Sequence, residues 1–121
     1  VVKGRVVEAT GGMVRVSVNG TTLIALEAES IGPDVFACIR AEDVVLEPGR
    51  ASASSARNHL TGTVQAVTML GALARVTLDC GFPLVAMVTR STADEFKLAP
   101  GLVITAAIKA GAVHLVSRQE A

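Results

Sequence analysis

The stretch Met13-Val14-Arg15-Val16-Ser17-Val18-Asn19-Gly20-Thr21-Thr22-Leu23-Ile24-Ala25 decides the fold class. Apolar and polar residues alternate through 13–18, the two-residue period of a half-buried strand. Asn19-Gly20 follows at once and supplies the residue pair that a tight hairpin turn needs, and 21–25 returns as the second arm. Working outward, Arg5-Val6-Val7-Glu8 alternates in the same way. Gly32-Pro33-Asp34 makes a turn, and Val35-Phe36-Ala37-Cys38-Ile39 reads as a buried strand. Ala41-Glu42-Asp43 fits one helical turn before a short strand, Val44-Val45-Leu46. Glu47-Pro48-Gly49-Arg50 stops the pattern, and Ala51-Ser52-Ala53-Ser54-Ser55 is small, polar and linker-like.

The pattern then begins again, with strands expected at 60–68, 73–79, 83–88, 103–108 and 113–116. Between the third and fourth of these, Thr89 to Leu98 is a short helix candidate with hydroxyl caps, early acids and a late lysine. Ala99-Pro100-Gly101 ends it. The two halves resemble each other. Gly4-Arg5-Val6-Val7 matches Gly62-Thr63-Val64-Gln65, and Val14-Arg15-Val16 matches Ala74-Arg75-Val76. Phe36-Ala37-Cys38-Ile39-Arg40-Ala41 matches Thr105-Ala106-Ala107-Ile108-Lys109-Ala110, and Val44-Val45-Leu46 matches Val113-His114-Leu115. One unit is therefore expected at 1–49 and a second at 50–121. Neither is large enough for a generous core, so they should pack together or share strands. The expected architecture is all-β, a tandem of two OB-like five-stranded barrels with one short helix in the second.

Composition narrows the function. The 121 residues carry 11 basic and 11 acidic side chains, half are hydrophobic, and three Phe are the only aromatics besides His. Zero formal net charge removes the basic footprint of a nucleic-acid binder, and missing aromatics remove the stacking platform of single-strand binders. No apolar run has the length of a membrane span and no signal peptide opens the chain. Cys38 and Cys80 are too few for a disulfide framework, suit a reducing compartment and read as small core hydrophobes. The first residue is Val rather than Met, which fits a piece of a longer polypeptide.

Enzyme motifs are missing: there is no phosphate-cradling glycine loop with Lys-Ser/Thr and no nucleophile with a base at a telling spacing. His59 and His114 stand far apart in sequence without acidic or thiol neighbours, so no metal site is expected. Glu42 and Asp43, adjacent on a turn, are expected to point apart into solvent. Ser55-Ala56-Arg57-Asn58 stands out. A hydroxyl, a guanidinium and an amide, all hydrogen-bond donors, gather beside a small residue that leaves the backbone accessible, as a small oxyanion requires. Thr89-Arg90-Ser91, at the expected helix start, has free N–H groups that favour an anion. Lys109 is a third donor.

Ser55-Ala56-Arg57-Asn58 followed by His59-Leu60-Thr61-Gly62-Thr63-Val64 resembles the opening of the Mop, or molbindin, family of small molybdate- and tungstate-binding domains. Val88-Thr89-Arg90-Ser91 and Ile108-Lys109-Ala110 look like that family's later motifs. Cys38-Ile39-Arg40-Ala41-Glu42-Asp43-Val44 resembles the related TOBE repeat, found C-terminal to the ATPase domain of bacterial ABC importers, with Ala41 where that repeat has Pro. The resemblance implies an oxyanion, molybdate or tungstate, held at contacts between units or subunits by Ser55, Arg57 and Lys109. Ala56 and Ala110 would offer backbone N–H groups, with Thr89 and Ser91 as weaker matches. The family's serines after Lys-Ala are here Gly111-Ala112, and the first unit lacks the Ser-Ala-Arg-Asn opening.

The expected function is that of a non-catalytic regulatory domain of an ABC import ATPase, sensing molybdate or tungstate. It would need no cofactor and form a homodimer. An N-terminal ATPase domain would link it to a membrane permease, placing it in the cytoplasm, peripheral to the inner membrane. Two other readings stay open: a non-sensing TOBE interaction module for another cargo, and a free-standing molybdate-storage molbindin.

Overall fold

Asn19 and Gly20 both adopt positive φ, 48° and 82°, the conformation of a two-residue hairpin turn. This turn joins β2 (Met13–Val18) to β3 (Thr21–Leu26), which pair from Met13–Leu26 to Val18–Thr21 without interruption. The computed structural model describes residues 1–26, 31–49 and 57–118. The linker-like run 51–55 lies outside the described residues, and so do Ser55 and Ala56.

The first unit is completed by β1 (Val2–Thr10), β4 (Asp34–Cys38), a 3-10 turn at Ala41–Asp43 and β5 (Val45–Pro48). The second contains β6 (Arg57–Leu70), β7 (Leu73–Asp79), β8 (Pro83–Thr89) and the helix α1 (Arg90–Glu95). It continues with β9 (Val103–Lys109), a 3-10 turn at Ala110–Ala112 and β10 (His114–Ser117).

Two five-stranded antiparallel sheets result, with strand orders β10-β4-β1-β2-β3 and β5-β9-β6-β7-β8. The two orders are the same once the last strands are exchanged. β5 leaves the first unit to pair with β9, Val45 opposite Ala107, while β10 leaves the second to pair with β4, His114 opposite Cys38. The 3-10 turns cross with them: the 41–43 turn packs on β8 and the 110–112 turn on β3. This is the all-β tandem of OB-like barrels expected from the sequence, and the strand-sharing takes a definite, reciprocal form.

The first strand of each unit bends at an equivalent bulge, between Val6 and Glu8 in β1 and between Val64 and Ala66 in β6. A bulge adds twist and lets one long strand serve two partners. β6 uses Arg57–Thr63 against β9 and the rest against β7. Just before each bulge stands a glycine under close approach. A Cβ on Gly4 would lie 2.6 Å from Val16 Cγ1, and one on Gly62 would lie 2.6 Å from Cys80 Sγ. The core is a single cluster drawn from both units, with Val16, Leu23 and Val35 of one touching the same body as Leu78, Phe82 and Ile108 of the other.

Two local expectations are corrected. The helix is shorter than 89–98: α1 has no acid in its first turn and no base in its last, and Lys97 lies beyond it at φ 53°. Asp94 and Glu95 fall at its C-terminal end, so the expected match to the helix dipole is absent. Packing of Phe96 and Leu98 against the core sets the boundary in its place. β6 starts at Arg57 rather than Leu60, so Arg57 and Asn58 are ladder residues paired with Lys109 and Ile108.

Both cysteines are free thiols, and Cys80 is buried. Burial, then the Asp79 charge, push the Cys80 thiol up to about 11. Maleimide should therefore modify Cys38 in the folded chain and reach Cys80 only after unfolding in urea. Full-rate labelling of a folded Cys38→Ser variant contradicts this. Unfolding returns the Cys80 thiol to its ordinary value, 9.0, so its contribution to stability is full below that pH and is lost as pH rises towards about 11. Gly62→Ala should lower stability by about 1–3 kcal/mol in urea titration, because Cys80 cannot yield within a filled core.

Candidate functional site

β6 and β9 are paired from Thr63–Val103 to Arg57–Lys109, and the last rung sets two cationic residues directly opposite each other. Cross-strand partners of this kind stand about 5 Å apart at Cβ, and like charges there are destabilising. The ladder therefore gathers positive charge at one end of the second sheet. Lys109 is exposed and closes β9 in extended geometry (φ −63°, ψ 143°) as the chain enters the 110–112 turn. Ala110 is buried, and the Val113 N–H donates to its carbonyl at 3.2 Å. A Cβ on Gly111 would lie 3.5 Å from Leu26 Cδ1, so this turn rests on β3 of the first unit.

Asn58, next to Arg57, has a different task from the one its sequence context suggests. It is only 4% exposed. Its Oδ1 accepts from the Ile24 N–H at 2.7 Å, and its Nδ2 donates to the Ile24 carbonyl at 2.8 Å and to the Ile108 carbonyl at 3.3 Å. The amide thus stands in for a peptide group and joins the edge strand β3 to the second sheet. It is committed to the fold and is not available to an anion. The sequence carries a signal for this: Asn58 precedes Leu60 by two and so belongs to the core-facing set of β6.

Lys109 lines a cleft of about 330 Å3 with Ala107 and Ala112, and with Glu42, Asp43 and Val45 of the first unit. Clefts of about 330 and 320 Å3 also open beside Glu8 and Arg15 and beside Ile39 and Phe82, so size does not single this one out. Its charge does. Glu42 and Asp43, expected to point apart, converge on Arg40: Asp43 Oδ2 accepts from Nε at 2.9 Å, and Glu42 Oε1 lies 3.8 Å from it as a looser ion pair. The Asp43 hydrogen bond, followed by the Asp43 and Glu42 charges, raises the Arg40 pKa.

Thr89 and Ser91 are elsewhere. Thr89 pairs with Leu73, which pairs with Leu70 at the far end of β6 from Arg57. At strand rise that is roughly 40 Å of chain. Thr89 Oγ1 accepts from the Thr92 N–H at 3.1 Å, and the Arg90 N–H donates to the Ala72 carbonyl at 2.8 Å, so two donors of that helix start are already used. Arg90 Nε donates to the Gly71 carbonyl at 2.9 Å. Within one chain the fold does not bring Thr89 or Ser91 to Lys109.

The exchanged strand also gives His59 an acidic neighbour that sequence distance conceals. His59 Nδ1 lies 3.4 Å from Glu47 Oε1 on β5, and its Nε2 is buried without a partner among the described residues. No cluster of three metal-ligating side chains occurs among the described residues, and no helix is long and apolar enough to cross a membrane.

The TOBE domain family matches residues 54–115, just over half of the chain. The chain belongs to this family. The matched TOBE segment runs from just before the Ser-Ala-Arg-Asn opening into the start of β10, so it includes Arg57, Lys109 and the whole second sheet except β5. The TOBE chain is 41% identical over 90 residues to molybdenum-pterin-binding protein MopA of Rhodobacter capsulatus. It is 35% identical over 97 residues to molybdenum import ATP-binding protein ModC 1 of Azotobacter vinelandii. These alignments cover 69% and 78% of the chain but only 33% and 27% of those relatives. Among solved structures it is similar to the cytoplasmic molybdate-binding protein ModG with molybdate bound, at a TM-score of 0.80 and 32% identity, over 97% of this chain and 94% of that one. The Mop and TOBE resemblances read from the sequence are borne out, although the TOBE match lies over 54–115 and not over the 38–44 motif that suggested it.

Replacing Asn58 with Ala strips partners from the Ile24 N–H and carbonyl, and each unsatisfied group of this kind costs about 1–3 kcal/mol. Asn58→Ala should therefore destabilise the TOBE chain by about 2–4 kcal/mol in urea titration. A loss under about 0.5 kcal/mol contradicts the bridging role.

Proposed function

We propose that this TOBE chain is a non-catalytic binding module for a tetrahedral dianion, molybdate or tungstate. The observation that carries the reading is the opposed rung of Arg57 and Lys109. Like charges at a cross-strand pair are destabilising, and a doubly charged ligand would answer both at once. Ser55 and the backbone N–H groups of Ala56 and Ala110 complete the proposed donor set. Thr89 and Ser91, at the far end of β6, join such a site only across a contact between two chains. Support comes also from the relatives: ModG is a molybdate-binding protein, MopA a molybdenum-pterin-binding protein and ModC 1 a molybdenum import ATP-binding protein.

In the fuller form of this proposal, the module is the cytoplasmic regulatory end of a molybdate-import ATPase. It would work as a homodimer, coupled through a preceding ATPase domain to an inner-membrane permease. Ligand would bias one arrangement of the ATPase pair, to the extent that it binds that arrangement more tightly. The ModC match favours this form. The end-to-end match to ModG favours a second reading, a free-standing molybdate carrier or store.

Titration calorimetry of the chain with molybdate, tungstate and sulfate tests the common core of both. Molybdate and tungstate should bind in preference to sulfate. Arg57→Ala should abolish the heat, and Lys109→Ala should weaken binding at least about tenfold, as expected for loss of a charge-assisted contact. Absence of heat with all three ions, or binding indifferent to both variants, overturns the reading.

A further inference from the structure

The tandem builds the same turn twice. Arg40 and Lys109 each enter a 3-10 turn in extended geometry (φ −77°, ψ 141° and φ −63°, ψ 143°), and the residues that leave it, Val44 and Val113, match closely as well. The N–H of Val44 donates to Ala41 as that of Val113 donates to Ala110. The backbones agree and the side chains differ. The first turn carries Glu42 and Asp43 where the second carries Gly111 and Ala112. Reciprocal strand exchange then brings the acidic turn to the basic one, because Glu42 and Asp43 line the same cleft as Lys109.

We propose that Glu42 and Asp43 act as an intramolecular electrostatic brake on anion binding at Lys109, setting the affinity of the proposed oxyanion site from the first unit. The proposal rests on the oxyanion reading above. Asp43 is held by Arg40 at 2.9 Å, and its charge is largely answered there. Glu42 is held more loosely at 3.8 Å, with its side chain 65% exposed, so its charge reaches the cleft less compensated. A dianion entering beside Lys109 meets this carboxylate across the same cleft, where Coulomb repulsion between solvent-exposed charges weakens as salt rises. Gly111 and Ala112, lacking charge, impose no such penalty from their own side. The first unit thus contributes affinity control to a site whose donors lie in the second.

The test is tungstate calorimetry on the full chain with Glu42→Gln, beside Glu8→Gln as a control. Glu8 lines a separate cleft, so the control makes the same change in net charge away from the site. Glu42→Gln should tighten tungstate binding at least about threefold, with the gain shrinking as salt rises, while Glu8→Gln leaves it unchanged. Equal shifts in the two variants, or no shift in Glu42→Gln, overturn the brake. Where Lys109→Ala loses binding but Glu42→Gln changes nothing, the brake falls and the oxyanion reading stands. Where neither the unaltered chain nor Glu42→Gln binds tungstate, both fall.

Discussion

A unit of five short strands cannot close itself when its last strand has left, and this constraint orders the rest of the molecule. β5 and β10 each complete the other unit's sheet, so neither half has a full ladder alone. The single core follows, because side chains from both sheets must fill one space. Asn58 and Thr21 then secure β3, the edge strand at the other end of that sheet from β10. The first bonds both main-chain groups of Ile24, and the second donates to the Cys80 carbonyl at 3.1 Å. Polar ties hold the exchanged strands themselves, Arg118 with Asp34 at 3.1 Å beside β10 and Glu47 with His59 at 3.4 Å on β5.

The same exchange decides the electrostatics. An equal count of acids and bases suggests a bland surface, but the fold distributes them unevenly. One end of the β6–β9 ladder sets Arg57 opposite Lys109, and the acidic turn that accompanies β5 is delivered to the neighbouring cleft. In the first unit the equivalent cation, Arg40, is answered by its own carboxylates. The two units therefore share a backbone plan and divide the work. The second sets Arg57 opposite Lys109 on its ladder, and the first supplies a strand and two carboxylates beside it.

Much of this was legible in the residues. Alternation at 13–18, the Asn19-Gly20 turn and the repeat of Gly4-Arg5-Val6 in Gly62-Thr63-Val64 give strands, hairpin and tandem, because period and turn chemistry are local properties. The opening motif leads to the family for the same reason. What stayed hidden is set by pairing over long separations. Glu47 meets His59 only because β5 crosses to the other sheet. Glu42 and Asp43 converge because Arg40 offers both a single donor group. The Asn58 amide is spent on Ile24, far from it in sequence. The helix expected at 89–98 ends at Glu95, and Phe96 and Leu98 beyond it pack against the core, a tertiary contact that a charge pattern does not reveal.

The central claim is that a dianion lies at the Arg57–Lys109 rung. Anomalous scattering from a crystal of the chain soaked in tungstate tests it most directly, since tungsten is located without reference to protein density. The account predicts a tungsten peak within hydrogen-bonding reach of both Arg57 and Lys109. A sole peak at Arg40, at the start of α1 or in either of the other two clefts would contradict it.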